Sequence, residues 1–333
     1  MLLLASSACT TERPVVSTDS VSLAYPRAYV ESTISADAVE DVLASGICFG
    51  TAPAPDLTTG TCTTADRGTG TFSDTISGLQ NGSLYYVRAY ATTVEGTIYG
   101  NALTFTPAMS VPGNGVTMDG HDYPTIVLGN GQEWMAENLR TSVYDNGDQI
   151  PNIQPDAQWE VLQEGAWCHN ENDAQIEVLY GKLYNRAAID DSRGVCPSGW
   201  HVATMSDWEN LLGVVDPDFL KPADNFFITN SISAVSALMN PAATWPTEPP
   251  YEYPQPTGES GFAAMPGGYR VSGIYGNGET YSWFDYLGEV GLWWIAAADS
   301  MNDFRPAAVL NAGEFKSRTI DKRYGVSVRC VKN

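Results

Sequence analysis

Cys168 and His169 stand side by side, and a thiol beside an imidazole is the pairing that nucleophilic catalysis uses. On a strand, adjacent side chains point to opposite faces, so the two cannot serve one substrate atom together. Cys168 therefore reads as a buried, leftover thiol. The other histidines, His121 and His201, are scattered, and no Cys-x-x-Cys pair occurs, so a structural zinc site is not expected. His201 reads as a packing or hydrogen-bonding residue at a helix entry. Adjacent carboxylates such as Asp190-Asp191 arise by chance in a chain with 39 acidic residues and read as solvated loop. With no nucleophile and base, no metal cluster and no placed carboxylate pair, the expectation is a protein that is not an enzyme.

Two oxygen-rich stretches suggest other chemistry. Asp145-Asn146-Gly147-Asp148 has the ligand density of a calcium loop, although turn formation accounts for the same residues. No cofactor is implied, and calcium stays open without support. Gln154-Pro155-Asp156 copies a tripeptide with which some calcium-dependent lectins bind galactose, but it stands before the first helix and no Trp-Asn-Asp follows it.

Binding chemistry is better supported late in the chain. In Tyr281-Ser282-Trp283-Phe284-Asp285-Tyr286 alternate side chains must face opposite sides, so at most half the rings can enter one core. Exposed rings beside Asp299, Asn302, Asp303, Phe304 and Arg305 would form a recognition surface of rigid aromatics and adaptable polar neighbours. The candidate ligand-binding residues are these five together with Tyr281, Trp283, Phe284, Asp285, Asn311, Lys316 and Arg318.

The net charge of -22 argues against a nucleic-acid partner for the molecule as a whole. The charge is uneven: -6 over residues 1–107, -21 over 108–304 and +5 over 305–333. The basic tail either neutralises its own acidic neighbourhood or forms a positive strip beside a binding face.

Met1-Leu2-Leu3-Leu4-Ala5-Ser6-Ser7-Ala8-Cys9 reads as the apolar, small-residue end of a secretory signal running into a cysteine. Small residues before a cysteine resemble a bacterial lipoprotein cleavage site, which implies lipid at Cys9, a membrane attachment and an outer-membrane or cell-surface location. No window offers the 18 or more apolar residues of a membrane span. In an oxidising compartment, Cys48 and Cys62 suit a local hairpin bridge, Cys196 and Cys330 suit a long one, and Cys168 remains.

Several elements must position these residues. Residues 1–20 read as signal and tether. From Val21 to Pro107 apolar and polar residues alternate in short runs, such as Phe72–Ser77, Leu84–Ala91 and Thr97–Phe105, as in a small β-sandwich. Pro107 to Pro112 makes a linker, and residues 113–333 form a second domain. It opens with a hairpin across Gly129-Asn130-Gly131. Ser206 and Glu209 read as a capping box, with Trp208, Leu211 and Leu212 on one helical face. Residues 241–258 hold six prolines and read as an extended loop. Short strands follow around Tyr269, Tyr281–Trp283, Leu292–Ile295, Ala307–Leu310 and Val326–Arg329, the last ending at Cys330. The fold class expected is mostly β with short helices, an α+β chain.

Two resemblances carry this further. Leu79-Gln80-Asn81-Gly82-Ser83-Leu84-Tyr85-Tyr86-Val87-Arg88-Ala89-Tyr90-Ala91 resembles the core phrase of fibronectin type III-like modules of bacterial surface proteins, which implies a spacer. The second domain is similar to the Fibrobacter succinogenes major paralogous domain family. The phrases are Gly131–Leu139, Tyr180–Asn185, Cys196-Pro197-Ser198-Gly199-Trp200-His201, Glu259–Arg270 and Tyr324–Val331. The resemblance implies a C-type-lectin-like fold, with two helices and a twisted, loop-rich sheet held by the long disulfide. The family usually has Trp-Trp-Ser-Ser-Thr where this chain has Trp293-Trp294-Ile295-Ala296-Ala297, so three hydroxyls are lost and the tryptophans read as core. Similar domains are targets of diversity-generating retroelements, which directs attention to residues 275–323.

The function expected is a lipid-anchored surface adhesin whose lectin-like domain recognises an extracellular glycan or protein. A self-assembling, fimbria-like component is the alternative.

Overall fold

The computed structural model describes residues 13–35, 42–64, 68–216, 218–219, 227–246, 254–297, 304–311 and 313–333. The chain divides into two compact units, residues 1–108 and 109–333.

The first unit is built from two antiparallel sheets. One joins β1 (Val15–Ala24), β2 (Arg27–Ser35) and β5 (Gly70–Ile76). The other joins β3 (Ala44–Gly50), β4 (Thr61–Cys62), β6 (Tyr85–Thr93), β7 (Gly96–Tyr99) and β8 (Leu103–Phe105). Val16, Val30, Ile34 and Ile76 of the first sheet meet Ile47, Phe49, Val87 and Ala89 of the second in one core. Alternation explains the arrangement: along β2 every second residue from Ala28 to Ile34 is buried. Two sequence expectations are corrected here. Residues 15–20 are strand rather than tether, because Val16 and Thr18 turn inward while Val15 and Asp19 face water. The run Thr97–Phe105 is two strands, β7 and β8, that both pair with β6.

The second unit opens with β9 (Ser110–Pro112), the hairpin of β10 (Val116–Met118) and β11 (His121–Tyr123), and the hairpin of β12 (Thr125–Leu128) and β13 (Glu133–Met135). Then come α1 (Asp156–Trp159), β14 (Trp167–Cys168), α2 (Glu177–Tyr180), β15 (Leu183–Tyr184) and α3 (Arg186–Ile189). β16 (Trp200–Val202) leads into α4 (Met205–Val215), and β17 (Ile228–Thr229) precedes α5 (Ile232–Leu238). The chain ends in β18 (Gly267–Ile274), β19 (Thr280–Leu287), β20 (Gly291–Trp294), β21 (Phe304–Asn311), β22 (Glu314–Asp321) and β23 (Cys330–Lys332).

A five-stranded sheet runs β16-β23-β13-β12-β9, a four-stranded one runs β17-β22-β21-β20, and β18 pairs with β19 alone. The fold is thus mostly β with short helices. α4 is capped two residues before the expected site: Thr204 is the N-cap, and Asp207 closes the capping box by accepting from the Thr204 backbone. Ser206 lies inside the first turn. Trp208 is buried as expected and packs edge-on against Trp134 and Phe262.

The disulfides Cys48–Cys62 and Cys196–Cys330 are both formed, with 134 residues separating the second pair. Cys330 opens the last strand rather than ending it. Val326 and Ser327 instead make single bridges to Tyr184 and Trp293. The long bond thereby pins the segment before β16 to β23, the strand beside it in the sheet. Among the described residues no helix is long and apolar enough to cross a membrane.

Candidate binding face

The β18–β19 hairpin sets Tyr269 opposite Asp285, Val271 opposite Trp283 and Gly273 opposite Tyr281. Alternation puts these six on one face and Arg270, Ser272, Ser282 and Phe284 on the other. On the first face Trp283 is 44% exposed and Tyr275, just past β18, is 51% exposed. Their rings are joined through Tyr281, 4.5 Å from Tyr275 and 5.0 Å from Trp283 between centroids. Gly273 makes room for this run: a Cβ there would come within 2.5 Å of the Tyr281 hydroxyl.

A second aromatic row adjoins the base of the hairpin. Tyr269 stacks between Tyr286, at 5.5 Å, and Tyr324, at 5.8 Å. Strict alternation would send Tyr286 to the opposite face. Its left-handed backbone, φ 59°, breaks the alternation and lets the ring reach Tyr269. Opposite it, Gly268 also has positive φ, and a Cβ there would lie 2.6 Å from Asp285 O and Leu287 N. Burial raises the phenol pKa values of Tyr269 and Tyr324, while the charge of nearby Arg318 pulls both down. Arg318 is exposed on β22.

The inward face is structural. Arg270 is fully buried and donates to Ser282 Oγ, to the carbonyls of Ile153 and Gln154, and to Asp156. Its guanidinium lies 4.6 Å from the Trp159 ring and 5.0 Å from that of Phe284. Phe284, a ligand candidate by sequence, packs on this guanidinium on the inward side, and Gln154 and Asp156 of the galactose-like tripeptide are anchors for Arg270.

The remaining candidates separate. Tyr281, Trp283 and Asp285 share the outer face, and Arg318 acts on its tyrosines. Lys316, two residues along β22, pairs with Glu314 at 2.6 Å instead. Asn311 ends β21 and is half-buried. Asp299, Asn302 and Asp303 lie outside the described residues, as do Cys9 and the side chains of Phe304 and Arg305. Sequence reasoning did not single out Tyr269, Tyr275, Tyr286 and Tyr324. The Gly267-Gly268 pair before Tyr269 was the available signal, since such a pair marks a place where strands approach too closely for side chains.

Other chemical candidates resolve as structure. Cys168 is buried, and burial pushes its thiol pKa up to about 12, so no thiolate forms there near neutral pH. His169 faces Glu177 at 3.2 Å. His201 bonds Asp207 of the capping box at 3.0 Å and Asn333 at 2.6 Å, as the helix-entry reading expects. In the 145–148 loop, Asp145 accepts from the backbone and hydroxyl of Ser198, and Asp148 pairs with Arg193. Among the described residues no three His, Cys, Asp or Glu side chains group as metal ligands. Trp293 and Trp294 are fully buried, as expected of core residues.

The model of the Fibrobacter succinogenes major domain family matches residues 127–332. No curated protein matches the chain. Among solved structures, the chain is similar to the sensor domain of the anti-sigma factor RsgI4 of Pseudobacteroides cellulosolvens. That match has 13% identity and a TM-score of 0.25, covering 29% of this chain and 97% of that one.

Proposed function

The chain belongs to the Fibrobacter succinogenes major domain family, and from that premise we propose that it is a non-enzymatic binding protein of the bacterial surface. Lipid at Cys9 anchors it to the outer membrane, the fibronectin type III-like unit acts as a spacer, and the C-type-lectin-like unit holds the ligand. The reading rests on one observation: Tyr275, Tyr281 and Trp283 form an uninterrupted run of rings on the outer face of the β18–β19 hairpin. Flat, partly exposed rings suit the C–H faces of sugars, and the neighbouring Asp285 and Arg318 supply hydrogen-bonding partners for hydroxyls. The ligand is accordingly an extracellular glycan, with a protein epitope as the second class to be screened.

The test is a glycan and protein binding screen with the full chain, repeated with Trp283→Ala and Tyr281→Ala. Binding lost in both variants supports the aromatic face. Concentration-dependent self-association with no bound ligand, abolished by the same substitutions, would replace this reading with a structural, self-assembling role.

A further inference from the structure

The two aromatic rows of the second unit meet across β18. Alternation puts Tyr269 on the same face of that strand as Gly273, and Tyr324 lies at the strand's edge, where Gly325 bridges Arg270. The Tyr281 phenol acts on that of Tyr324, while Asp285 and Arg318 act on both Tyr269 and Tyr324. No ring of the two rows is closed off: Tyr275 and Trp283 are exposed, and Tyr269, Tyr281, Tyr286 and Tyr324 are half-buried. Tyr269 in β18 and Tyr275 just past it are six residues apart, so the rings line roughly 20 Å of extended backbone.

The rings of the outer run are not coplanar. Tyr275 and Tyr281 are inclined by 43°, and Tyr281 and Trp283 by 31°, so the run turns with the twist of the hairpin. Tyr281 is the joint, and Gly273 opposite it sets its position. A Cβ on Gly273 would come 2.5 Å from the Tyr281 hydroxyl and 2.7 Å from its Cζ, so the ring lies directly over the glycine. The backbone at Gly273 lacks the positive φ that would by itself call for glycine. What the position requires is the absent side chain, which lets Tyr281 lie between Tyr275 and Trp283.

We propose that the two rows form one extended site for a single neutral glycan chain, linked equatorially through successive rings, with Gly273 as the positioning residue for Tyr281. A monosaccharide covers one aromatic ring and leaves the rest of the surface unused, whereas linked pyranoses lay successive C–H faces along it. Equatorial linkage keeps such a chain straight over this length, and an axially linked chain coils away. The tilted rings suit one twisting chain and not the planar face of a crystalline polysaccharide. Arg318 and Asp285, of opposite sign, give hydroxyls a donor and an acceptor, and Asp321, which also acts on Tyr324, is paired with Arg323. The proposal rests on the outer face of the hairpin being a glycan site.

The test titrates the full chain by calorimetry with xylohexaose, mannohexaose and cellohexaose, with the disaccharide and monosaccharide of each, and with maltohexaose as the coiled comparator. Expected is an extended hexasaccharide bound at least about tenfold more tightly than its own disaccharide and than maltohexaose. Tyr324→Ala, which removes a ring of the second row, and Gly273→Ala, which displaces Tyr281, each weaken that hexasaccharide about tenfold. Arg27→Gln, an exposed charge in the first unit, leaves the affinity unchanged. The length series on the wild-type chain needs no variant, and near-ultraviolet circular dichroism checks that each variant is folded. No extended hexasaccharide bound at ~10 mM, equal affinity for a hexasaccharide and its monosaccharide, equal affinity for maltohexaose, or unchanged affinity in both folded variants overturns the proposal. Those outcomes leave the face standing as a glycan site, because it is scored separately by Trp283→Ala on the glycan screen; a screen indifferent to Trp283→Ala removes the face and this proposal together.

Discussion

Asn138 Oδ1 accepts a 2.8 Å hydrogen bond from Nε of the fully buried Arg329 and another, also 2.8 Å, from Nε1 of buried Trp293. The other Arg329 nitrogens donate to the carbonyls of Met135, Phe262 and Ala263, so the charge is dispersed over backbone dipoles. Burial pushes the Arg329 pKa down, because the charged form gives up its water there. Asn138→Leu would strand two buried donors, and we expect a loss of about 3 kcal/mol in urea unfolding. An unfolding midpoint unchanged from wild type would mean that water or a neighbour takes the amide's place.

The Cys196–Cys330 bond closes far more chain than Cys48–Cys62, whose cysteines are only 14 residues apart. Loop-closure entropy gives about 5 kcal/mol for the long loop and about 3 kcal/mol for the short one. The double variant Cys196→Ala/Cys330→Ala should therefore unfold at a markedly lower temperature than Cys48→Ala/Cys62→Ala. Equal melting temperatures would show that strain or residual denatured-state structure cancels the difference. Cys168 should resist iodoacetamide at pH 8 in the native state and react once the chain is unfolded.

High pH tests the buried phenols. Tyr123 and Tyr184 are almost fully buried, and desolvation raises both pKa values above the ordinary 10. Above pH 10 the unfolded chain ionises these tyrosines while the folded protein keeps them neutral. The unfolded state then binds fewer protons, so stability falls as pH rises, by about 1.4 kcal/mol per pH unit for each. Urea midpoints at pH 8, 10 and 11 read this directly. A flat midpoint across that range, or tyrosinate absorbance at 295 nm growing fully at pH 10 in the native state, contradicts it.

How far the residues alone disclose this depends on the range of the interaction. Strand alternation located β5 and β6, because burial on one face is written in a period of two, and the Gly129-Asn130-Gly131 turn located the β12–β13 hairpin. The helix start was missed by two residues, since Ser206 and Glu209 fit a capping box as well as Thr204 and Asp207 do. Which pair caps depends on how β16 enters the helix. In the candidate face, alternation separated Trp283 from Phe284 in principle, but not which side was wet; the buried guanidinium of Arg270, 14 residues away in sequence, decides it. The Tyr286–Tyr269–Tyr324 stack was out of reach, because it needs a left-handed backbone at a tyrosine and a contact across 55 residues of chain.

Trp283 and Phe284 give the sharpest test of the face itself, since neighbours on one strand should respond in opposite ways. Trp283 is half-exposed and stacks along the ring run, so Trp283→Ala should change stability by less than about 1 kcal/mol while weakening ligand binding about tenfold. Phe284 covers the Arg270 guanidinium beside Trp159, so Phe284→Ala should cost about 2–3 kcal/mol and leave the outer rings in place. Thermal melts and the glycan screen on both variants separate the two roles. If Phe284→Ala is thermally silent and Trp283→Ala unfolds the hairpin, the wet and dry faces of β19 have been assigned the wrong way round.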